Sequence, residues 1–385
     1  MDIADKIKIT MLPAGAGDCI LIEFIEEDYR ILIDGGYSNT YYNYLKRKLL
    51  ILREQGKKIN LLVITHIDAD HIGGILAFLK DNGVANKPSV IEVEEVWYNA
   101  FFHMNKGKNQ NINVPYITRE ILRGKVASNG IIFENGRHDI SVAQGNTVAR
   151  LLINRGYNWN SMYLGNAVCV ENGECKKLTE KIQCTLLGPD EKALNKLAEL
   201  WITKMESVVK NFTVCGDILY SEAFECDCMQ MKEGMGGTVL KDIAYKIEKG
   251  NEVNWKKISD NWKSQLDTSN TNRSSIAFML EYEGIKMIFP GDCPLQLFQE
   301  KLPTRIDILK LPHHGSEKNI DKEFIMNTEV TFYLLSTEGK IHGHPSLAVI
   351  GSILYKAAGK PTIIKNYDIH GLDKIGIYEG YENGI

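Results

Sequence analysis

What this chain lacks narrows its chemistry before any motif is read. Across its 385 residues no apolar run approaches the roughly 20 residues that cross a bilayer, so no membrane role is expected. Its start, Met1-Asp2-Ile3-Ala4-Asp5-Lys6, has neither the basic opening nor the apolar stretch of an export signal, and a cytoplasmic address is the expectation. Basic residues are not in excess. The 45 Lys and Arg against 49 Asp and Glu give a formal net charge of −4, which argues against a protein that coats nucleic acid non-specifically. A nucleic-acid substrate stays open, because bound metal neutralises acidic side chains. The Gly-x-Ser-x-Gly elbow of serine hydrolases is absent. Eight cysteines occur, but without a pair of pairs at zinc-finger distance; Cys226-Asp227-Cys228 reads either as reduced thiols or as an unusual contribution to a metal site. No repeat recurs at a fixed period.

What is present is ordinary globular composition, 44% hydrophobic and 24% charged, enough for one large domain with insertions. Strands are expected at Ile7–Met11, Cys19–Phe24, Arg30–Asp34, Asn60–Thr65 and Ile91–Trp97. Tyr41–Glu54 carries Leu45, Leu49 and Leu52 at helical spacing, and an apolar stretch follows Gly73-Gly74. Residues 100–180 are irregular apart from a helix over Thr147–Arg155. Ile182–Leu187 returns to strand character, and 190–268 is polar, helical and broken at Gly234–Gly237. From 274 onward strands and helices alternate again: Ser275–Tyr282, Lys286–Phe289, a helix near Leu295–Glu300, Ile306–Leu311, Val330–Leu335, a helix over Leu347–Ala357 and a last strand at Pro361–Lys365. This order predicts one α/β domain over 1–385, helices outside and sheets inside, with insertions at about 100–180 and 190–268 flanking a cleft.

The chemistry concentrates in Thr65-His66-Ile67-Asp68-Ala69-Asp70-His71, where four potential ligands follow a buried strand within six residues. A strand fixes where such a loop begins, and imidazole with carboxylate suits zinc, manganese or iron. Capping of the next helix would use one Asp but leaves two flanking histidines unexplained. Further along stand Ile33-Asp34-Gly35-Gly36, Leu187-Gly188-Pro189, Asn272-Arg273-Ser274-Ser275, Pro290-Gly291-Asp292, Leu311-Pro312-His313-His314-Gly315-Ser316 and His344-Pro345.

In that order the set resembles the metallo-β-lactamase superfamily, and within it the ComEC-type competence hydrolase domain and its stand-alone relatives, which carry Asp where Asp68 stands. The resemblance covers roughly residues 5–100 and 182–380. It implies an αββα sandwich with helical insertions and two divalent ions, zinc or manganese, with magnesium possible. His66 and Asp68 would hold one ion, Asp70 and His71 the second, with Asp292 bridging and His314 completing the second site. Asp34 would orient a ligand histidine, unless it is only a turn residue before two glycines. His313 and His344 would face the cleft and contact a phosphate or leaving group, unless merely solvated. One departure stands out: Ser269–Ser275 has no histidine where most members supply a first-site imidazole. That leaves an oxygen-rich first site, with Asn272 a candidate to contact metal or substrate.

The implied activity is hydrolysis by an ion-bound hydroxide, with Asp70, Asn272, His313 and His344 as catalytic candidates. A phosphodiester in nucleic acid or a nucleotide is the leading substrate class. A carbonyl ester (lactam, lactone or thioester) is the alternative, and a non-catalytic partner subunit the third reading; a protein partner is possible in any of them. Trp159, Trp201, Trp255 and Trp262 either stack bases or belong to the core of an added subdomain. His103, His138 and His370 are given structural or surface roles, and His342, two residues before His344, has no matching role.

Overall fold

A computed structural model describes residues 6–104, 114–128, 130–132, 138–141, 147–233, 254–340, 343–369, 372 and 377–379. His342, His370 and the glycine-rich break at 234–237 lie outside the described residues, as does the side chain of His138.

Alternating aliphatic residues build the first sheet. Its strands β1 (Ile7–Met11), β2 (Ile20–Phe24), β3 (Tyr29–Ile33), β4 (Ile59–Val63) and β5 (Val93–Trp97) lie side by side in chain order. β1, β2 and β3 pair antiparallel, with Ile7 opposite Phe24 and Ile20 opposite Ile33. β3, β4 and β5 are parallel, with Ile33 opposite Val63 and Val63 opposite Trp97. Ile20, Ile22, Ile31, Ile33, Leu61 and Val63 share one face, while Leu21, Leu32 and Leu62 share the other. The near-continuous Ile59–Val63 run is what a strand covered on both faces requires.

A short hairpin of β6 (Gly130–Ile132) and β7 (His138–Ser141) stands apart. The second sheet holds β8 (Cys175–Lys177), β9 (Ile182–Gly188), β10 (Ala277–Tyr282), β11 (Ile285–Phe289), β12 (Arg305–Lys310), β13 (Glu329–Leu335), β14 (Thr362–Lys365) and β15 (Ile377–Glu379), adjacent in that order. β8 to β11 pair antiparallel and β11 to β15 pair parallel.

Three apolar clusters make four layers. Between the sheets, Ile22, Ile33, Leu61 and Val63 meet Phe278, Leu280, Met287 and Phe289. Outside the first sheet, Leu32 and Leu62 pack on Leu49 and Leu52 of the helix Lys46–Glu54 and on Ile75 and Leu79 of the helix Ala69–Asn82. Outside the second, Ile288, Leu309 and Tyr333 pack on Val349, Ile350 and Ile353 of the helix Leu347–Lys356. At about 1.5–3 kcal/mol for each fully buried large aliphatic side chain, these clusters are the main source of stability. The expected αββα sandwich is the observed architecture.

The described parts of 100–180 and 190–268 enlarge the first helical layer. Phe101, Leu122 and Leu151 from one block, and Trp201 and Phe224 from the other, share a cluster with Leu76 and Phe78. Trp201 is buried against Phe101 and Phe224. Trp262 is buried, Trp255 packs on the third cluster, and Trp159 donates its indole N–H to the Tyr98 carbonyl at 2.8 Å. Trp201 and Trp262 are thus core residues, while Trp159 and Trp255 are half-buried against the clusters. All eight cysteines are free thiols, with Cys226 and Cys228 buried in the helix Ile218–Glu233.

Several elements differ from expectation. The stretch 100–180, expected to be irregular apart from one helix, also holds the helix Tyr116–Ser128 and the short strands β6 to β8. That helix forms because Leu122 and Val126 give it an apolar face for the first outer cluster. Leu295–Glu300 is not a helix but two 3₁₀ turns, Leu295–Leu297 and Gln299–Lys301. The segment is too short to propagate a helix, and Phe298 leaves the helical region with φ −142° as its side chain and that of Leu295 turn into the third cluster. A short helix, Lys322–Asn327, capped by Asp321, precedes β13. β14 is not the last strand, since β15 follows it. Among the described residues no helix is long and apolar enough to cross a membrane.

Candidate metal centre

Parallel strands share a direction, so their exit loops gather at one edge of the sheets, where open α/β folds hold their ligands. Asp34 follows β3, the loop from Ile64 to Asp68 follows β4, Asp292 follows β11, His313 and His314 follow β12, and Ser336 follows β13. The helix Ala69–Asn82 starts directly after the β4 loop. Asp68 occupies its N-cap position with extended backbone but makes no capping bond with its side chain, so the capping reading of this residue fails. Asp70 stands in the first turn, where the helix dipole favours an anion. Close backbone approach sets the helix against the β3 exit: a Cβ on Gly74 would lie 1.9 Å from the Gly35 carbonyl oxygen.

On the far side, His313 (φ +45°) and His314 (φ +55°) both adopt left-handed backbone, an arrangement that costs energy in non-glycine residues and concentrates at functional sites. The consequence is that two sequence neighbours present their rings to one carboxylate from different directions. His313 Nε2 is 3.6 Å from Asp292 Oδ2, and His314 Nε2 is 3.6 Å from Asp292 Oδ1. From the first sheet, His66 Nε2 comes within 3.6 Å of Asp292 Oδ2 and 3.1 Å of Asp68 Oδ2. His71 Nε2 is 3.4 Å from Asp292 Oδ1, and Asp70 Oδ2 is 3.9 Å from His71 Nε2 and 4.0 Å from His314 Nε2.

The outer nitrogens fix the tautomers. His71 donates Nδ1–H to Asp34 Oδ2 at 2.8 Å, and His314 donates Nδ1–H to the Ser336 carbonyl at 2.8 Å. Thr65 gives its hydroxyl proton to Asp34 Oδ2 (2.7 Å), which leaves its oxygen to accept from His66 Nδ1 at 3.0 Å. Each ring thus turns its Nε2 lone pair inward, as a metal ligand must. His71 Nε2 and His314 Nε2 are buried and make no hydrogen bond among the described residues.

Electrostatics say the same. Burial resists charging His71, yet Asp292, Asp70 and Asp34 hold its pKa well above the ordinary imidazole value. His314 is held well below that value by burial, with Lys310, His71 and His313 adding to it against Asp292. Burial opposes ionisation of Asp292, but His313, His71 and His314 keep its carboxyl well below the usual range. A cluster that draws a proton onto one imidazole and keeps its central carboxylate ionised is built for positive charge. Among the described residues two groups satisfy metal-ligand proximity: His66, Asp68 and Asp292, and Asp18, His71, Asp292 and His314. Ligand atoms about 2.1 Å from one ion stand roughly 3.4 Å apart in a tetrahedral set, close to the separations around Asp292. The residues fit a divalent cation.

The expected ligands His66, Asp68, Asp70, His71, Asp292 and His314 therefore converge, with Asp34 behind His71. His344 reaches the same mouth, its ring 4.7 Å from that of His313. Asn272 is buried, and its amide donates to Asp267 Oδ2 at 2.6 Å while lying 3.3 Å from His313 Nδ1. His103 accepts the Ala100 N–H at 3.1 Å, a structural role as expected.

Sequence reading passed over Asp18, Lys310, Asp267 and Asn319. Asp18 falls within the second group, but its Oδ2 accepts from Lys310 Nζ at 2.6 Å and its Oδ1 faces His314 Nδ1 at 3.6 Å. Asp70 faces the inward nitrogens of both imidazoles at 3.9 and 4.0 Å, whereas Asp18 lies behind the His314 ring. The only hint of Asp18 in sequence is an acid ending the small-residue run Ala14-Gly15-Ala16-Gly17 before an apolar strand.

Comparison with known proteins finds the superfamily resemblance over about a third of the chain. The family model described as the metallo-beta-lactamase superfamily matches residues 12–145. No curated protein matches the chain. The matched segment carries β1 to β5 and the His66–His71 loop, whereas Asp292, His313 and His314 come from beyond it. Superfamily and cluster together point to a metal-dependent hydrolase.

Proposed function

We propose that this metallo-β-lactamase-type chain is a phosphodiesterase or nuclease that works with two divalent cations, zinc or manganese. One observation carries the reading: Asp292 turns Oδ1 toward His71 and His314 and Oδ2 toward His66, so that two ligand groups share a single buried carboxylate. His66, Asp68 and Asp292 would hold one ion, and Asp70, His71, Asp292 and His314 the other. A bound cation pair would acidify water, hold a substrate oxygen and absorb negative charge as it develops.

The chain's own groups set the geometry. Asp34 fixes the tautomers of His71 directly and of His66 through Thr65. Asp70 is the most accessible carboxylate of the ligand set, with 10% side-chain exposure against 1% for Asp68 and 0% for Asp292. It stands at the mouth, where it can take the proton of an attacking water. His344 shares that mouth and is suited to a phosphate oxygen or the leaving group. Support for a phosphodiester comes from the ordered ComEC-type motifs and from the histidine missing between Ser269 and Ser275, which lactone and thioester hydrolases of this type keep.

A substrate panel tests the reading: a chromogenic phosphodiester, a lactone and a thioester, each with manganese, zinc or magnesium. Phosphodiester turnover is expected, falling at least about 100-fold in Asp70→Ala and His314→Ala, a loss of about 3 kcal/mol of transition-state stabilisation. Turnover of the carbonyl esters alone, or equal rates in wild type and both variants, would overturn it.

A further inference from the structure

We infer that His313 is the missing imidazole of the first pocket and that Asp267, Asn272 and Asn319 form the shell that aims it. The inference rests on the two-cation reading above and assigns His313 to an ion rather than to the substrate.

Hydrogen-bond logic fixes its protonation. Asn319 gives its Nδ2 protons to two acceptors, the Asp292 carbonyl at 2.8 Å and Asp267 Oδ2 at 3.0 Å. Its amide is therefore oriented with Oδ1 as an acceptor, and Oδ1 lies 3.2 Å from His313 Nδ1. The Asn272 amide nitrogen, a longer 3.3 Å from Nδ1, gives its strong hydrogen bond to Asp267 Oδ2 at 2.6 Å instead. A carbonyl oxygen can only accept, and the Asp267 carboxylate lies 3.6 Å from Nδ1, so both place the proton on Nδ1 and the lone pair on Nε2. That lone pair faces Asp292 Oδ2 at 3.6 Å, the same oxygen that His66 Nε2 meets at 3.6 Å. Two imidazole lone pairs directed at one carboxylate oxygen repel it unless a cation lies between. His313 stands just outside the 4.8 Å ligand group of His66, Asp68 and Asp292 and would close on it as the ion binds.

The backing has the form of an outer shell. Asp267 accepts from the Ser269 amide (2.8 Å), from Asn272 and from Asn319, and lies 3.6 Å from His313 Nδ1. Every other inward histidine has its counterpart: Thr65 behind His66, Asp34 behind His71, the Ser336 carbonyl behind His314. Outer-shell partners of this sort orient ligand rings and raise their basicity. With His313 included, the first pocket offers two imidazoles and two carboxylates, the same set as the second. The oxygen-rich first site expected from sequence, and its lean toward magnesium, then disappears.

The test is metal binding by the full chain, measured by equilibrium dialysis against manganese and against zinc with elemental analysis, beside the electron paramagnetic resonance spectrum of the manganese form. His313→Asn suits it, because Asn tolerates left-handed backbone yet is too short to reach the pocket. Wild type is expected to bind two ions with a coupled-pair spectrum. His313→Asn is expected to keep the second ion, which itself reports an intact fold, and to lose the first by at least about 100-fold in affinity, with an isolated-ion spectrum. Asp267→Asn is expected to weaken the first ion alone, by roughly 10–100-fold. Two ions bound at wild-type affinity in His313→Asn would overturn the assignment and leave the two-cation reading intact. Loss of both ions together in both variants would also overturn it, whereas wild type binding less than one ion would remove the reading beneath it.

Discussion

The two pockets around Asp292 are alike in ligand chemistry and unlike in support. The second is deeply set on its imidazole side and opens to the mouth at Asp70: His71 and His314 have 0% and 3% side-chain exposure against 10% for Asp70, and the outer nitrogens of the two rings meet a buried carboxylate and a backbone carbonyl. Behind it lies the fully buried Lys310–Asp18 pair. The first pocket opens at His313, 18% exposed, and is backed by two neutral amides around Asp267. Burial pushes the Asp267 carboxyl up, but the neighbouring His313 ring and hydrogen bonds from the Ser269 amide, Asn272 and Asn319 bring it below the usual range. One pocket is thus built into the core, and the other is assembled from loops at its rim.

The largest effect should come from the residue both pockets share. Asp292→Ala removes the oxygen facing each of them and should abolish binding of both ions. Activity should fall at least about 1000-fold, since several kcal/mol of charge stabilisation are lost. Metal content and turnover measured on one preparation check this. Retention of a single ion would mean that the pockets do not depend on a common carboxylate.

A smaller effect, confined to one side, should follow Lys310→Met. Burial already raises the pKa of Asp18 despite the neighbouring ammonium. Removing Lys310 leaves that carboxyl buried and uncompensated, and breaking such a pair costs about 3–5 kcal/mol. The urea midpoint of the metal-free protein should fall accordingly, with the slope unchanged. If stability does not change, the contrast between a core-built and a rim-built pocket loses its energetic basis.

How much of this was legible depends on sequence distance. The ligands of the β4 loop lie within six residues behind a buried strand, so local spacing exposes them. The αββα layering follows from period-two runs such as Ile20–Phe24 and from helices carrying Leu49 and Leu52. His314 was legible as a motif, but the direction of His313 was not, because the fold turns on two consecutive left-handed residues that no spacing predicts. Asp267 and Asn319 lie 52 residues apart and meet only because the Ser269 turn and the β12 exit loop pack together. Nothing in a pattern of residue types records that contact. Leu295–Glu300 misled for the opposite reason: its apolar spacing was real, but it anchors two short turns rather than one helix.

The smallest expected effect lies outside both pockets and calibrates them. Glu225, in the inserted helix Ile218–Glu233, is buried beneath Tyr98 and accepts the Val148 and Ala149 amides at the start of the helix Val148–Asn154. Burial pushes its carboxyl from 4.5 up to about 7, against the hydrogen bonds from those amides and from Tyr98. A carboxyl whose folded pKa is raised holds its proton in the folded state while the unfolded chain has released it. Its contribution to stability is complete below about 4.5 and is lost as pH rises to about 7, with a slope of at most about 1.4 kcal/mol per pH unit. Glu225→Gln cannot ionise, so the unfolding free energy of this variant should be flatter than wild type across that window. The pockets themselves should respond to neither change, because Glu225 sits in the helical layer and not among their ligands. Ion binding that shifted with Glu225→Gln would mean that the inserted layer is coupled to the centre, and the two pockets would then have to be compared with that layer included.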